Sequence, residues 1–107
     1  MEKILLEHNN YKVRVALDGS EALDILGKET IDLILLDLKL NWVEGDIVAQ
    51  LVKRYKKTKD IPVIVVTGLS REEVEKYQID GVEAVLYKPV DPRSLLETIK
   101  EFLLRTT

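Results

Sequence analysis

The chain has 107 residues, of which 46% are hydrophobic and 33% charged, and its formal net charge is −3. These values are typical of one soluble globular domain, residues 1–107, and they exclude a disordered chain or a strongly basic nucleic-acid-binding protein. There is no cysteine, which excludes disulfides and thiolate metal sites, and no apolar run approaches the roughly 20 residues of a membrane span. We therefore expect a cytoplasmic protein that contacts neither membrane nor nucleic acid directly.

The first half of the chain alternates between strand and helix patterns. Residues 11–17 (YKVRVAL) alternate apolar and polar side chains, which predicts an outer strand, and Asp18 with Glu21 forms a capping-box pattern at the start of a helix. Residues 31–37 (IDLILLD) form the most hydrophobic predicted strand, and the spacing of apolar residues predicts a helix over residues 46–55. Each predicted strand is therefore followed by a helix.

The second half of the chain repeats the same alternation. Ser70 and Glu73 form a second capping-box pattern, which predicts the start of a short helix. The remaining predicted elements are strands over residues 61–67 and 84–87 and a last helix over residues 92–104. Strands that are apolar on both faces and alternate with helices predict an α/β fold, an open parallel sheet with helices on both faces.

Three consecutive predicted strands end at a polar side chain: Asp37, Thr67 and Lys88. Parallel strands bring their carboxyl ends to one edge of the sheet, which is where ligands bind in such folds. Singly, these residues have ordinary explanations as a turn residue, a β-branched strand end and a solubilising charge. Together they suit phosphoryl chemistry, because a carboxylate can form an acyl phosphate while an ammonium group and a hydroxyl bind the phosphoryl oxygens.

The chain resembles the receiver domain of bacterial two-component response regulators over essentially its whole length. The matching segments, in the family's order and spacing, are ALDGSEALDIL, DLILLDLKLNWVEG, IPVIVVTG, GVEAVLYKP and DPRSLLETI. The resemblance implies a flavodoxin-like fold and a signalling role, with no catalysis beyond the domain's own phosphorylation and dephosphorylation. It also implies that a histidine kinase or phosphotransfer protein phosphorylates Asp37 and that altered binding to an output protein carries the signal.

The same resemblance assigns further residues around the site. The family's conserved hydroxyl falls on Thr67, and its small neighbour falls on Gly68. The family's lysine falls on Lys88, and the proline that follows it after a usually cis peptide falls on Pro89. The glycine of the loop after the phosphorylation site is Gly45. Lys39, two places after Asp37, either reaches over the site and modulates the lifetime of the phosphoryl group or is simply solvated.

Two departures from the family pattern favour an alternative function. The aromatic switch residue, three places before the lysine, is Val85 here, while Tyr87 directly before Lys88 is expected on the other side of the strand. The family's Met-Pro pair is replaced by Leu40-Asn41. The alternative is a pseudo-receiver, a protein-interaction module that uses the same fold without phosphorylation.

A third hypothesis is a phosphatase of the haloacid-dehalogenase type, which also uses a strand-end aspartate as its nucleophile. That chemistry needs a second acid two places after the nucleophile, where this chain has Lys39. The residue types therefore disfavour this hypothesis.

The start of the chain aligns with the second half of the family's first helix, so we expect an N-terminally truncated domain without the first strand and its magnesium-binding acidic pair. The family implies Mg²⁺, but Asp37 alone is a weak ligand for an ion that takes several oxygens. We therefore expect Asp37 to pair with Lys88 at rest. A sheet that lacks a central strand must either pair residues 11–17 directly with residues 31–37 or self-associate as a homodimer, because an unpaired edge is a template for another chain.

Overall fold

The computed structural model describes residues 2–17, 19–38, 50–77 and 81–105. Its helices are α1 (Glu2–His8), α2 (Gly19–Lys28), α3 (residues 50–54), α4 (Arg71–Tyr77) and α5 (Pro92–Arg105). Its strands are β1 (Ile34–Leu38), β2 (Val63–Thr67) and β3 (Ala84–Tyr87). No helix in these ranges is long and apolar enough to cross a membrane.

The described strands form one parallel sheet in the order β1-β2-β3, which confirms the predicted open parallel α/β sheet. Strand β3 has the predicted bounds, whereas β1 and β2 begin three and two residues later than predicted, at Ile34 and Val63. The first ladder bond runs from the Ile34 N–H to the Pro62 carbonyl at 2.9 Å. Because Pro62 has no N–H to donate, the ladder does not extend into the residues before it.

Helices cover both faces of β2, as predicted. On one face Ile64 and Val66 belong to a buried cluster with Leu6 of α1 and two α5 residues, Leu95 and Ile99. On the other face the buried partners come from α2, α3 and α4: Val63 clusters with Leu26 and Val52, and Val65 with Val74. The core is therefore centred on β2.

The predicted strand over residues 11–17 is wrong, because this segment joins no ladder with the described strands. Tyr11 and Val13 pack against the core as the alternation predicts, but Val15 and Leu17 are 49% and 86% exposed. Alternation specifies only which face is buried, whereas a strand also needs a hydrogen-bonded neighbour. The direct pairing of this segment with residues 31–37 is wrong for the same reason.

The helix starts follow the predicted capping chemistry where they are described. Ser70 and Glu73 exchange both bonds of a capping box, with the Glu73 N–H donating to Ser70 Oγ at 3.2 Å and the Ser70 N–H to Glu73 Oε1 at 3.1 Å. Glu21 accepts a hydrogen bond from the Leu17 N–H at 3.1 Å. The predicted cap Asp18 and the predicted helical residues 46–49 lie outside the described residues.

Candidate functional site

The strand register brings the ends of all three strands to one edge of the sheet. Asp37 stands opposite Val66 in the ladder, and Thr67 stands opposite Leu38 on one side and Tyr87 on the other. Neighbouring strands lie about 4.8 Å apart. The backbones of Asp37, Thr67 and Lys88 therefore share this edge, as predicted. The side chain of Asp37 lies outside the described part of the structure, so its pairing with Lys88 stays a prediction.

Thr67 is held by hydrogen bonds through both its side chain and its backbone. It ends β2, is fully buried, and its Oγ1 accepts a hydrogen bond from the Leu69 N–H at 3.0 Å. Its carbonyl accepts from the Lys88 N–H at 2.7 Å, which joins the ends of β2 and β3. The hydroxyl is thus fixed at the point where the chain leaves the sheet.

Lys88 and Pro89 follow β3, and both are exposed. The peptide bond between them is cis, as the family resemblance implied. Gly68 is also exposed, and a Cβ built on it would meet no atom of the described residues within 4 Å. Contacts with the described residues therefore give no packing reason for a glycine beside Thr67. Gly45 and Lys39, the other predicted neighbours, lie outside the described residues.

Sequence reasoning misplaced Tyr87. Val85 and Tyr87 both pack against the cluster of Val65 and Val74, so they lie on the same face of β3 and not on opposite faces. The reason is the period of two along a strand, which returns residue 87 to the side of residue 85. The guanidinium carbon of Arg71 lies 4.9 Å from the centre of the Tyr87 ring, a contact that no sequence pattern had indicated.

The described residues do not fit a magnesium ion. Among them, no group of three or more acidic or histidine side chains is placed to hold a metal. The side-chain amide of Asn9, near the start of the chain, donates to the Leu5 carbonyl at 2.8 Å. This bond satisfies a carbonyl in the last turn of α1. Magnesium takes near-octahedral oxygen ligation. The assignment of Asp37 as a weak metal ligand stays a prediction.

A cavity of about 360 Å³ lies away from this edge. It is lined by Gln50, Lys53, Arg54 and Gly81. The Lys53 ammonium donates to the Ile61 carbonyl at 2.9 Å and to the Glu83 carboxylate at 3.0 Å, which places it at the amino ends of β2 and β3. The cavity is therefore separate from the strand-end site.

Comparisons with known proteins agree with this architecture. Residues 1–100 match the family model of the response regulator receiver domain. The chain is 35% identical over 100 residues to the polar-differentiation response regulator DivK of Brucella ovis, covering 92% of this chain and 81% of that protein. It is 36% identical to a CheY-like receiver domain protein from Methanospirillum hungatei JF-1, with a TM-score of 0.80 over 97% of this chain and 82% of that one.

A more distant structure shows the same fold. The receiver domain of sensor histidine kinase PA1611 from Pseudomonas aeruginosa PAO1 has 20% identity and a TM-score of 0.84, over 95% of this chain and 84% of that one. That domain was solved with a magnesium ion coordinated in its active site cleft.

Fold and site together define a flavodoxin-like α/β signalling domain. The chain belongs to the response regulator receiver domain family of two-component systems. The resemblance drawn from the sequence motifs is therefore confirmed.

Proposed function

We propose that the chain, acting as one receiver unit over residues 1–107 in the cytoplasm, accepts a phosphoryl group on Asp37 from a histidine kinase or phosphotransfer protein. It then signals by altered binding to an output protein. The observation that carries this proposal is the ladder register that brings the backbones of Asp37, Thr67 and Lys88 to one edge, with the last two joined by a 2.7 Å hydrogen bond.

The chemistry assigns one role to each strand end. A carboxylate oxygen of Asp37 attacks the phosphorus, the P–N bond of a phosphohistidine or the P–O bond of acetyl phosphate breaks, and an acyl phosphate forms. Lys88 offsets the charge of the phosphoryl oxygens, and the Thr67 O–H donates to one of them. A hydroxyl has one donor and two acceptor sites, so Thr67 can donate while its oxygen accepts from Leu69. Attack of water on the phosphorus later releases phosphate and restores the carboxylate.

The charge compensation in this proposal comes from Lys88. The PA1611 receiver domain holds magnesium in its cleft, but the described residues of this chain do not supply a comparable ligand set. No step in the proposed transfer is therefore assigned to the ion. We propose that phosphorylation of Asp37 depends less on magnesium than it would in a domain with a full acidic cluster.

A pseudo-receiver is the second candidate. Val85 takes the place of the family's aromatic switch residue, and it packs as an aliphatic residue against Val65 and Val74. In this case the strand-end residues would stabilise a binding module, and Asp37 would pair with Lys88 without being phosphorylated.

The deciding experiment is the intact mass of the protein after incubation with acetyl phosphate, with and without magnesium. We expect a gain of one phosphoryl group that is absent in Asp37→Asn. Asp32→Asn is the matched control, because Asp32 is an exposed aspartate just before β1 and should not affect the gain. A gain that persists in Asp37→Asn would place the phosphoryl group elsewhere, and no gain under either condition would favour the pseudo-receiver.

We also propose that the chain self-associates through the outer edge of β1. Among the described strands, β1 bonds only to β2, although Leu35 and Leu36 pack into clusters on opposite faces of the sheet. A strand that is apolar on both faces is typical of a sheet interior, and an open edge can pair with another chain.

Light scattering at micromolar concentration tests this self-association. We expect a dimer, and a Leu35→Lys variant should shift the protein towards monomer. A wild-type protein that is monomeric and melts cooperatively would contradict the proposed dimer.

A further inference from the structure

A basic surface lies at the edge of the sheet opposite to the strand-end residues. Residues 53–59 (KRYKKTK), which we call the basic turn, hold five of the chain's 16 lysine and arginine residues and no acidic residue. Lys53 places this turn at the amino ends of β2 and β3, because its ammonium donates to the Ile61 carbonyl and to Glu83. The whole chain has a net charge of −3, so the basic turn is a local concentration of positive charge on an acidic protein.

Hydrogen bonds within the chain fix the shape of the basic turn. The buried Thr58 hydroxyl donates to the Val52 carbonyl at 2.7 Å. The Tyr55 carbonyl accepts from the N–H groups of Thr58 and Lys59, at 3.1 and 2.8 Å. These bonds satisfy two carbonyls at the end of α3, so no lysine is needed to cap them. A surface that is already ordered also loses little conformational entropy when a partner binds.

The cations of the basic turn differ in what they already contact. Lys53 is paired with Glu83 at 3.0 Å, and its side chain is 23% exposed. By contrast, Arg54, Lys56 and Lys59 are exposed, and their side chains form no ion pair or hydrogen bond with the other described residues. These three charges are therefore available to a partner.

A cavity and an exposed aromatic ring adjoin these charges. The cavity of about 360 Å³ described above has Arg54 on its lining, together with Gln50 and Gly81. A guanidinium binds a carboxylate through two parallel hydrogen bonds, which a single ammonium cannot do. Next to Arg54 in the chain, Tyr55 is 60% exposed. Arginine and tyrosine are enriched among the residues that contribute most to binding at protein interfaces.

We propose that the basic turn binds an acidic segment of another protein. One carboxylate of that segment enters the cavity and pairs with Arg54, and neighbouring carboxylates lie against Lys56 and Lys59. The surface is a strand's length away from Asp37, so this binding does not depend on the proposed phosphorylation. A partner held there leaves the strand-end edge open to a phosphoryl donor.

Charge favours a short acidic segment over an extended polyanion. Attraction between exposed charges falls off over about 8 Å at physiological salt, whereas the domain measures 33 × 31 × 25 Å. A short segment therefore meets mainly the positive charge of the basic turn. Duplex DNA or an anionic membrane extends further and also meets the acidic remainder of the chain.

Fluorescence anisotropy with a labelled hexaglutamate peptide tests the proposal, with hexaglutamine as the uncharged control. We expect the protein to bind hexaglutamate and not hexaglutamine, with an affinity that falls as salt is added. Arg54→Glu should weaken binding about tenfold or more, because it replaces an attraction by a repulsion. Arg54→Lys should lose less, because it keeps the charge and removes only the paired hydrogen bonds.

Lys100→Glu is the matched control. It makes the same change of net charge at an exposed lysine of α5, a helix that packs on the other face of the sheet from α3. We expect it to change the affinity less than about twofold. Asp37→Asn should bind hexaglutamate as the wild type does, which separates this surface from the proposed phosphorylation. Equal losses in Arg54→Glu and Lys100→Glu would show general charge attraction and overturn the proposal.

The class of partner is tested in the same buffer with duplex DNA and with phosphatidylserine vesicles. We expect both to bind more weakly than hexaglutamate. Tighter binding of either one would overturn an acidic protein segment as the partner. A wild-type protein that does not bind hexaglutamate at all would overturn the docking surface itself.

Discussion

Strand β2 and residues 11–17 are both rich in branched apolar residues, but their surroundings differ. Residues 63–66 of β2 are at most 1% exposed, with strands on both edges and helices on both faces. Residues 11–17 have no ladder partner among the described strands, and Leu17 is 86% exposed. The difference shows that an apolar pattern alone does not make a strand. A strand forms where the segment also has a hydrogen-bonded neighbour.

The same contrast holds for the polar contacts of the two regions. At the amino end of β2, Lys53 and Glu83 form an ion pair whose side chains are 23% and 30% exposed, and the other Glu83 oxygen accepts from the Val63 N–H. The segment of residues 11–17 is attached to Glu29 through Arg14, a pair that is 62% and 41% exposed. The Lys53–Glu83 pair is less exposed and Glu83 also accepts from a backbone N–H, so we expect it to anchor β2 more firmly than Arg14 anchors residues 11–17.

The largest expected effect compares one substitution in the two regions. Val65→Ala removes two fully buried methyl groups, and we expect it to lower the free energy of unfolding by roughly 2–3 kcal/mol. Val15→Ala, at a side chain 49% exposed, should change it by less than about 0.5 kcal/mol. Urea unfolding of both variants measures this, and equal losses would mean that residues 11–17 are as well packed as β2.

A smaller effect is expected for the two ion pairs. Glu83→Ala leaves the buried Val63 N–H without its side-chain acceptor and should cost about 1–3 kcal/mol. Glu29→Ala breaks an exposed pair and should cost less than about 1 kcal/mol. Thermal unfolding at low and high salt checks both values. Similar costs for the two variants would refute the difference in anchoring.

The smallest effect concerns two glycines. Gly81 has a φ of 83°, and a Cβ there would lie 2.8 Å from Lys53 Cγ, so Gly81→Ala should cost about 1–2 kcal/mol. The new methyl group of Gly68→Ala meets none of the described residues, so the variant should stay within about 0.5 kcal/mol of wild type. If Gly81→Ala is as stable as Gly68→Ala, the close approach of Lys53 does not restrict this position.

Sequence patterns predicted the features that depend on local chemistry. The strand β3 and the Ser70–Glu73 capping box were predicted because each is encoded within a few neighbouring residues. The Lys53–Glu83 pair joins residues 30 apart in sequence, and the Arg71–Tyr87 stack likewise joins two separate elements. Such contacts depend on how elements pack, which periodicity does not specify. The predicted strand over residues 11–17 failed for the related reason that its ladder depends on a distant neighbour.

The most direct test of a shared strand-end site is an NMR titration of the Asp37 carboxyl group. A nearby ammonium favours the ionised carboxylate, so Lys88→Ala should raise the pKa of Asp37 above its wild-type value. Lys100→Ala, which removes an exposed lysine of α5, is the control and should leave that pKa unchanged. A pKa of Asp37 that stays the same in Lys88→Ala would show that the two side chains are not paired and would contradict the proposed site.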